Sequence, residues 1–157
     1  MPIDVIRITC GSSQDYEDNE GNTWRLDTGY FNTGGTFSTS DTIDVTGAPD
    51  APGMYQTLRF DGSDGGLTMT YTIDQDDGGD PLEDALGYTV KIHLCEVFHT
   101  SDDERVFEIV IQGQSVEQDI DIHAEVGHDA ALVKTYTDIN PTGGAIVIEF
   151  LWDTPSN

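Results

Sequence analysis

Positive charge is what this sequence has least of. Lysine and arginine together number 6 among 157 residues, against 30 aspartates and glutamates, for a formal net charge of −24 at pH 7. Lys91 and Lys134 are the only lysines. A surface this negative repels phosphate, which argues against nucleic-acid partners and against docking on anionic membranes. Salt screening relieves the self-repulsion. An acid excess with so little lysine therefore points to a marine or halophilic extracellular setting. Excision of the domain from a larger acidic protein is the competing explanation.

Other absences narrow the reading further. No apolar run approaches the roughly 20 residues that a membrane-spanning helix needs, so no membrane insertion is expected. No signal peptide is visible, and Met1-Pro2 followed directly by an apolar strand resembles a start added to a piece of a longer chain. No Asn-x-Ser/Thr acceptor occurs, since Asn140 precedes Pro141. The two cysteines, Cys10 and Cys95, lie far apart in strand-like contexts and match no metal-type spacing. One disulfide and two buried thiols both remain open. The sequence has no nucleophile elbow, phosphate loop, metal-binding histidine pair or reactive-cysteine context. With 30 acidic residues, close carboxylate pairs arise by chance, so they carry little weight for a hydrolase. An enzyme is not expected.

What the chain does have is alternation. Leu67, Met69, Tyr71 and Ile73 place apolar side chains on one face of a strand and threonines on the other. Tyr88, Val90, Ile92 and Leu94 repeat the pattern, as do Phe107, Ile109 and Ile111 before a turn at 112–115. Val116, Ile120 and Ile122 then close a hairpin, and Ile146, Ile148, Phe150 and Trp152 alternate near the end. Further strands are expected at 4–10 and 54–60. Trp152 is expected in the core, and His93, opposite the apolar face of its strand, in solvent. No segment sustains a 3.6-residue period. The 17 glycines and the many aspartates suit short strands joined by tight turns. These features predict one all-β domain over residues 1–157, an antiparallel β-sandwich of jelly-roll type.

Two stretches read as long loops, where binding sites on rigid scaffolds usually lie. Residues 11–53 are polar with interspersed aromatics, some of which are expected to pack beneath the loop as a satellite core. Residues 74–86 form an acidic connection. That connection and Asp61–Asp64 are candidate structural Ca²⁺ loops, although Ala85 stands where a twelve-residue calcium loop needs a glutamate. A solvated acidic loop is the favoured reading, and no cofactor is expected.

Several segments, in order, resemble the malectin family. Ile6-Arg7-Ile8-Thr9-Cys10-Gly11 is similar to its opening strand, and Trp24-x-x-Asp27 with Gly34-Gly35 to its W-x-x-D…G-G segment. Tyr55-Gln56-Thr57-Leu58-Arg59 resembles Y-Q-T-x-R, and Tyr88 through Phe98 resembles Y-x-V-x-L…E-V-F. Arg105-Val106-Phe107, Gly113 and Asp119-Ile120-Asp121-Ile122 complete the series over nearly the whole chain.

The resemblance implies a malectin-like, galactose-binding-type sandwich that binds carbohydrate without catalysis. Sugar C–H faces stack on aromatic rings, and sugar hydroxyls need paired donors and acceptors. Carried over by motif, the implied carbohydrate-binding residues are Tyr55, Gln56, Phe98, His99 and Asp153, with Phe37 and Tyr30 as candidates for a further ring in the first loop. Each has a plainer alternative: Tyr55 as a core tyrosine, Phe98 as buried under its loop, Asp153 as a turn cap. Glu96 is expected to hold loop backbone. The family pattern runs past the Asp153-Thr154-Pro155 position into a further strand, so an open sheet edge is expected here, with self-association as one outcome. The partners expected are a glycan and the remainder of a larger multi-domain protein, in an extracellular or cell-surface setting, with a lumenal one as the alternative. A structural or adhesive module is the first rival function, and a glycan hydrolase the second.

Overall fold

A computed structural model of the chain describes residues 5–60 and 68–152. In chain order the strands are β1 (Ile8–Thr9), β2 (Tyr16–Glu17), β3 (Thr23–Leu26), β4 (Gly35–Ser38), β5 (Thr57–Phe60), β6 (Met69–Ile73), β7 (Tyr88–Cys95), β8 (Val106–Ile111), β9 (Gln114–Asp121), β10 (Ala131–Ile139) and β11 (Ile146–Trp152). The helix among the described residues is the five-residue α1 (Ile122–Val126).

The principal sheet has the order β6-β11-β8-β9 and is antiparallel throughout. Across from it, β7 pairs with β10 from Cys95 opposite Ala131 to Tyr88 opposite Ile139. Apolar side chains from both cluster between them: Ile92 from β7, Phe107, Ile109 and Ile111 from β8, Ile120 from β9 and Ile146 from β11. β8 alternates strictly between half-buried and buried positions. This is the antiparallel sandwich that the period-2 pattern predicts.

The long first loop is more ordered than its composition suggests. β3 lies between β1, parallel to it, and β2, antiparallel to it, and β4 pairs with β5. A second core of Trp24, Ile43, Ala51, Met54, Tyr55, Val97 and Ala131 sits beneath these pieces. A buried carboxylate just past β3 ties that strand to β5 and β6. Asp27 receives Arg59 through two guanidinium nitrogens, at 2.6 and 2.9 Å, and the Tyr71 hydroxyl at 2.8 Å. Burial alone would raise the Asp27 carboxyl, but Arg59 and Tyr71 hold it below the usual aspartate range. Gly11 also donates to this carboxylate, at 3.3 Å. A Cβ at Gly11 would run into the Leu58 carbonyl, and φ there is +72°, so only glycine fits this crossing.

Several expectations change. The strand expected at 4–10 contracts to Ile8–Thr9 because its partner β3 is itself short. The segment 54–60 begins as a 3-10 turn over Pro52–Gln56, with proline in the first turn, and extends only from Thr57. The turn expected at 112–115 is the dipeptide Gln112-Gly113, with φ +51° and +75°, as a tight two-residue hairpin requires. Ile122 starts a helix rather than continuing β9, because the Asp121 side chain caps it by accepting from the Ala124 N–H at 3.1 Å. β10 carries no clear sequence signal, since Lys134 interrupts the apolar face that Leu132 and Tyr136 share. Two glutamates, Glu117 and Glu125, satisfy that lysine at 2.7 Å each. Trp152 shares the inward face of β11 but is 49% exposed at the sheet's rim. Cys10 and Cys95 are both free thiols.

Ile109 is fully buried at the centre of the main core. Ile109→Ala is expected to lower unfolding free energy by about 2–5 kcal/mol, measured by urea denaturation with the midpoint shifting at constant slope.

Candidate functional site

Glu96 follows β7 directly, and its side chain is almost wholly buried. Its Oε1 accepts from the backbone N–H groups of Phe98 and His99, both at 2.9 Å. Its Oε2 lies 2.8 Å from Arg105 Nε, with the N–H angled off the carboxylate, so that contact is Coulombic rather than an aligned hydrogen bond. Glu104 turns back likewise and accepts from the N–H groups of Thr100 and Ser101, at 3.2 and 3.0 Å. Two carboxylates thus fix the 96–105 loop from within, as expected for Glu96.

The product is an outward-facing aromatic group. Phe98 is 62% exposed, a large apolar side chain left in water by a loop whose backbone is pinned. The Phe37 ring meets it edge to face at 5.6 Å, and His99 does so at 5.1 Å. β4 brings Phe37 there from the first loop. Phe98, His99 and Phe37, proposed from sequence on different grounds, are therefore brought together.

The other candidates are placed elsewhere. Tyr55 is 4% exposed, and its hydroxyl lies 2.7 Å from His93 Nδ1. Gln56 donates its side-chain amide to the Asp41 carbonyl at 2.8 Å, so it supports a loop. Tyr30 is laddered by its backbone beside β6, where its carbonyl accepts from the Thr72 N–H at 2.7 Å. Asp153 and the Asp61–Asp64 stretch lie outside the described residues. In the acidic connection, Asp76 accepts from the N–H groups of Gly78 and Asp80 at 2.8 and 2.9 Å, closing that loop on its own backbone.

Behind the aromatic group, a cleft of about 1010 Å³ runs into the sandwich, with Trp24, Phe37, Tyr55, His93, Phe98 and His99 in its wall. His93 is not the solvated residue its strand position implies. It packs edge to face on Trp24 at 5.2 Å and pairs with Tyr55. Burial, with Lys91 adding to it, pushes its imidazole down to about 4, so the ring is neutral where it shares a hydrogen bond with the Tyr55 hydroxyl. The Trp24 indole in turn donates to Asp18 at 3.0 Å. That bond leads the contacts holding the Asp18 carboxyl down at about 2. Sequence reasoning missed this Asp18–Trp24–His93–Tyr55 chain because its links are about 6 to 70 residues apart.

A family model described as "Malectin domain" matches residues 4–157. No curated protein sequence matches the chain. Among solved structures, the ANXUR1 extracellular domain from Arabidopsis thaliana superposes with a TM-score of 0.80 at 21% identity, over 94% of this chain and 42% of that one. The plant receptor-like kinase FER gives 0.68 at 23% identity, over 97% and 50%. Bacteroides uniformis β-glucuronidase 2 gives 0.71 at 23% identity, over 97% of this chain but 16% of that one. The chain thus spans half or less of each of these proteins.

Neutral His93 has a pH consequence. Between about pH 6.5 and 4 the unfolded chain takes a proton at this residue and the folded chain does not, so its contribution to stability is complete above that window and lost as pH falls through it. Urea midpoints at pH 7, 5.5 and 4 are expected to drop more steeply for the native chain than for His93→Gln.

Proposed function

The chain belongs to the malectin domain family, and we propose that it is a non-catalytic module that binds an oligo- or polysaccharide at the Phe98 shelf. The observation that carries this reading is the 62% exposure of Phe98 on a backbone fixed by Glu96. A ring kept in water by a rigid loop is pre-organised, so little ordering cost falls on binding. Phe98 supplies the stacking face, with Phe37 at its edge. His99 contributes a ring and hydrogen-bonding nitrogens, and the acidic surroundings of Glu104 suit sugar hydroxyls as donors. Tyr55 and Gln56 act behind the shelf, the first in the cleft wall and the second on the 41–44 loop. Few polar contacts per site favour modest affinity raised by multivalency, which fits a module of a larger extracellular or cell-surface protein.

A specific observation favours a second reading, that of an assembly module. Among the described residues the other edge of β7 has no ladder partner, and it fronts the cleft. A strand from a second copy could add there.

One set of measurements separates the two. On a glycan array the native chain is expected to bind a defined group of glycans, and Phe98→Ala is expected to lose at least tenfold in affinity with its unfolding midpoint unchanged. Absence of glycan binding, with a concentration-dependent mass in light scattering, would select the assembly reading instead.

A further inference from the structure

Three segments cross on the flank of the second core: the 41–44 loop, the 96–99 turn and the 128–131 connection into β10. Backbone bonds braid them together. Asp44 N–H donates to the Asp129 carbonyl at 2.8 Å, Ala131 N–H to the Asp44 carbonyl at 2.8 Å, and Asp129 N–H to the Glu96 carbonyl at 2.9 Å. At this crossing Asp41, His128 and Asp129 each offer one ligand-type atom within 4.8 Å of the other two.

The histidine is oriented as a ligand. Its Nδ1 lies 2.7 Å from the His99 carbonyl oxygen. A carbonyl only accepts, so Nδ1 carries a proton, which in the neutral ring leaves the Nε2 lone pair facing the site, 3.5 Å from Asp129 Oδ2. Metal-binding histidines are typically set this way, with the outer nitrogen tied to backbone. Asp129 adds an independent sign, because its Oδ1 is buried with no hydrogen-bond partner. A buried carboxylate oxygen left without a partner is unfavourable unless a cation or a donor meets it. Asp41 spends one oxygen on the Thr39 hydroxyl, at 2.6 Å.

We propose that Asp41, His128 and Asp129 form a binding site for one divalent transition-metal ion of the Zn²⁺ type. Zinc bonds of about 2.0–2.2 Å in a tetrahedron set ligand edges of about 3.3–3.6 Å, and the His128–Asp129 separation of 3.5 Å is of that length. The imidazole excludes Ca²⁺ and Mg²⁺ as preferred occupants, since both favour oxygen sets. The three protein ligands leave a fourth position for water. The ion would tie the first loop to the turn that carries His99 and so stiffen the neighbourhood of the aromatic shelf. The site itself does not depend on glycan binding.

The test uses the intact chain freed of metal by chelation. Equilibrium dialysis is expected to give one tightly held Zn²⁺ per chain. Zn²⁺ should raise the thermal midpoint where Mg²⁺ at equal ionic strength does not, and Co²⁺ should give the visible absorption of a tetrahedral site. Asp41→Asn, at an exposed position, and His128→Gln should each weaken Zn²⁺ binding at least tenfold. His123→Gln, whose ring is hydrogen-bonded to Asp102 on α1's side of the fold, should leave it unchanged. Equal stabilisation by Mg²⁺, full binding in both Asp41→Asn and His128→Gln, or no stoichiometric Zn²⁺ would overturn the proposal. In that last case His128 and Asp129 would form a plain ion pair.

Discussion

The exposed aromatic group of this molecule depends on the buried carboxylate of Glu96. Carboxylates are seldom sealed from water unless their oxygens are satisfied, and here two loop N–H groups bond one oxygen while the Arg105 guanidinium faces the other Coulombically. Because those amides belong to Phe98 and His99, solvating the charge inside the protein and fixing the loop are a single event. The strand supplies the rigid base, the carboxylate turns the chain, and Phe98 is left facing outward. Removing the charge would unsettle a backbone, not merely one contact.

The same device recurs wherever this acid-rich chain must turn. Asp27 gathers Arg59, Tyr71 and Gly11 where β3 meets β5 and β6. Asp121 starts α1 and also accepts from the Asp103 N–H at 2.6 Å. Asp18 holds Trp24 and the turn at Asn22. Part of the acidic excess is therefore internal scaffolding, and only the remainder decorates the surface. Salt would act mainly on that remainder, because buried and hydrogen-bonded charges are screened little.

The sandwich was legible in the sequence because period-2 alternation is local information. Tyr88 to Leu94 and Phe107 to Ile111 declare their faces without help from the rest of the chain. β10 was not legible, because Lys134 interrupts its inward face and the glutamates that accept it come from β9 and α1. β3 and β4 pair with β1 and β5 across longer stretches of chain, and β2 is only two residues long, so composition makes them resemble a loop. At the site, Glu96 and Phe98 follow from a motif next to a strong strand. Tyr55 could not be placed, since its exposure is set by His93 and Trp24, neighbours in space and not in sequence. His128 and Asp129 carry no motif at all, and only the folded crossing brings Asp41 to them.

The scarcity of lysine also determines how the protein can be handled. Lys134 is clasped between Glu117 and Glu125, with 14% of its side chain exposed, and its ammonium is held in the charged form, burial notwithstanding, by those two partners. Lys91 on β7 is solvent-exposed. Amine-reactive reagents would therefore find one open side-chain target in the described fold, so tethering to a bead or sensor chip through lysine would present every copy in nearly the same orientation.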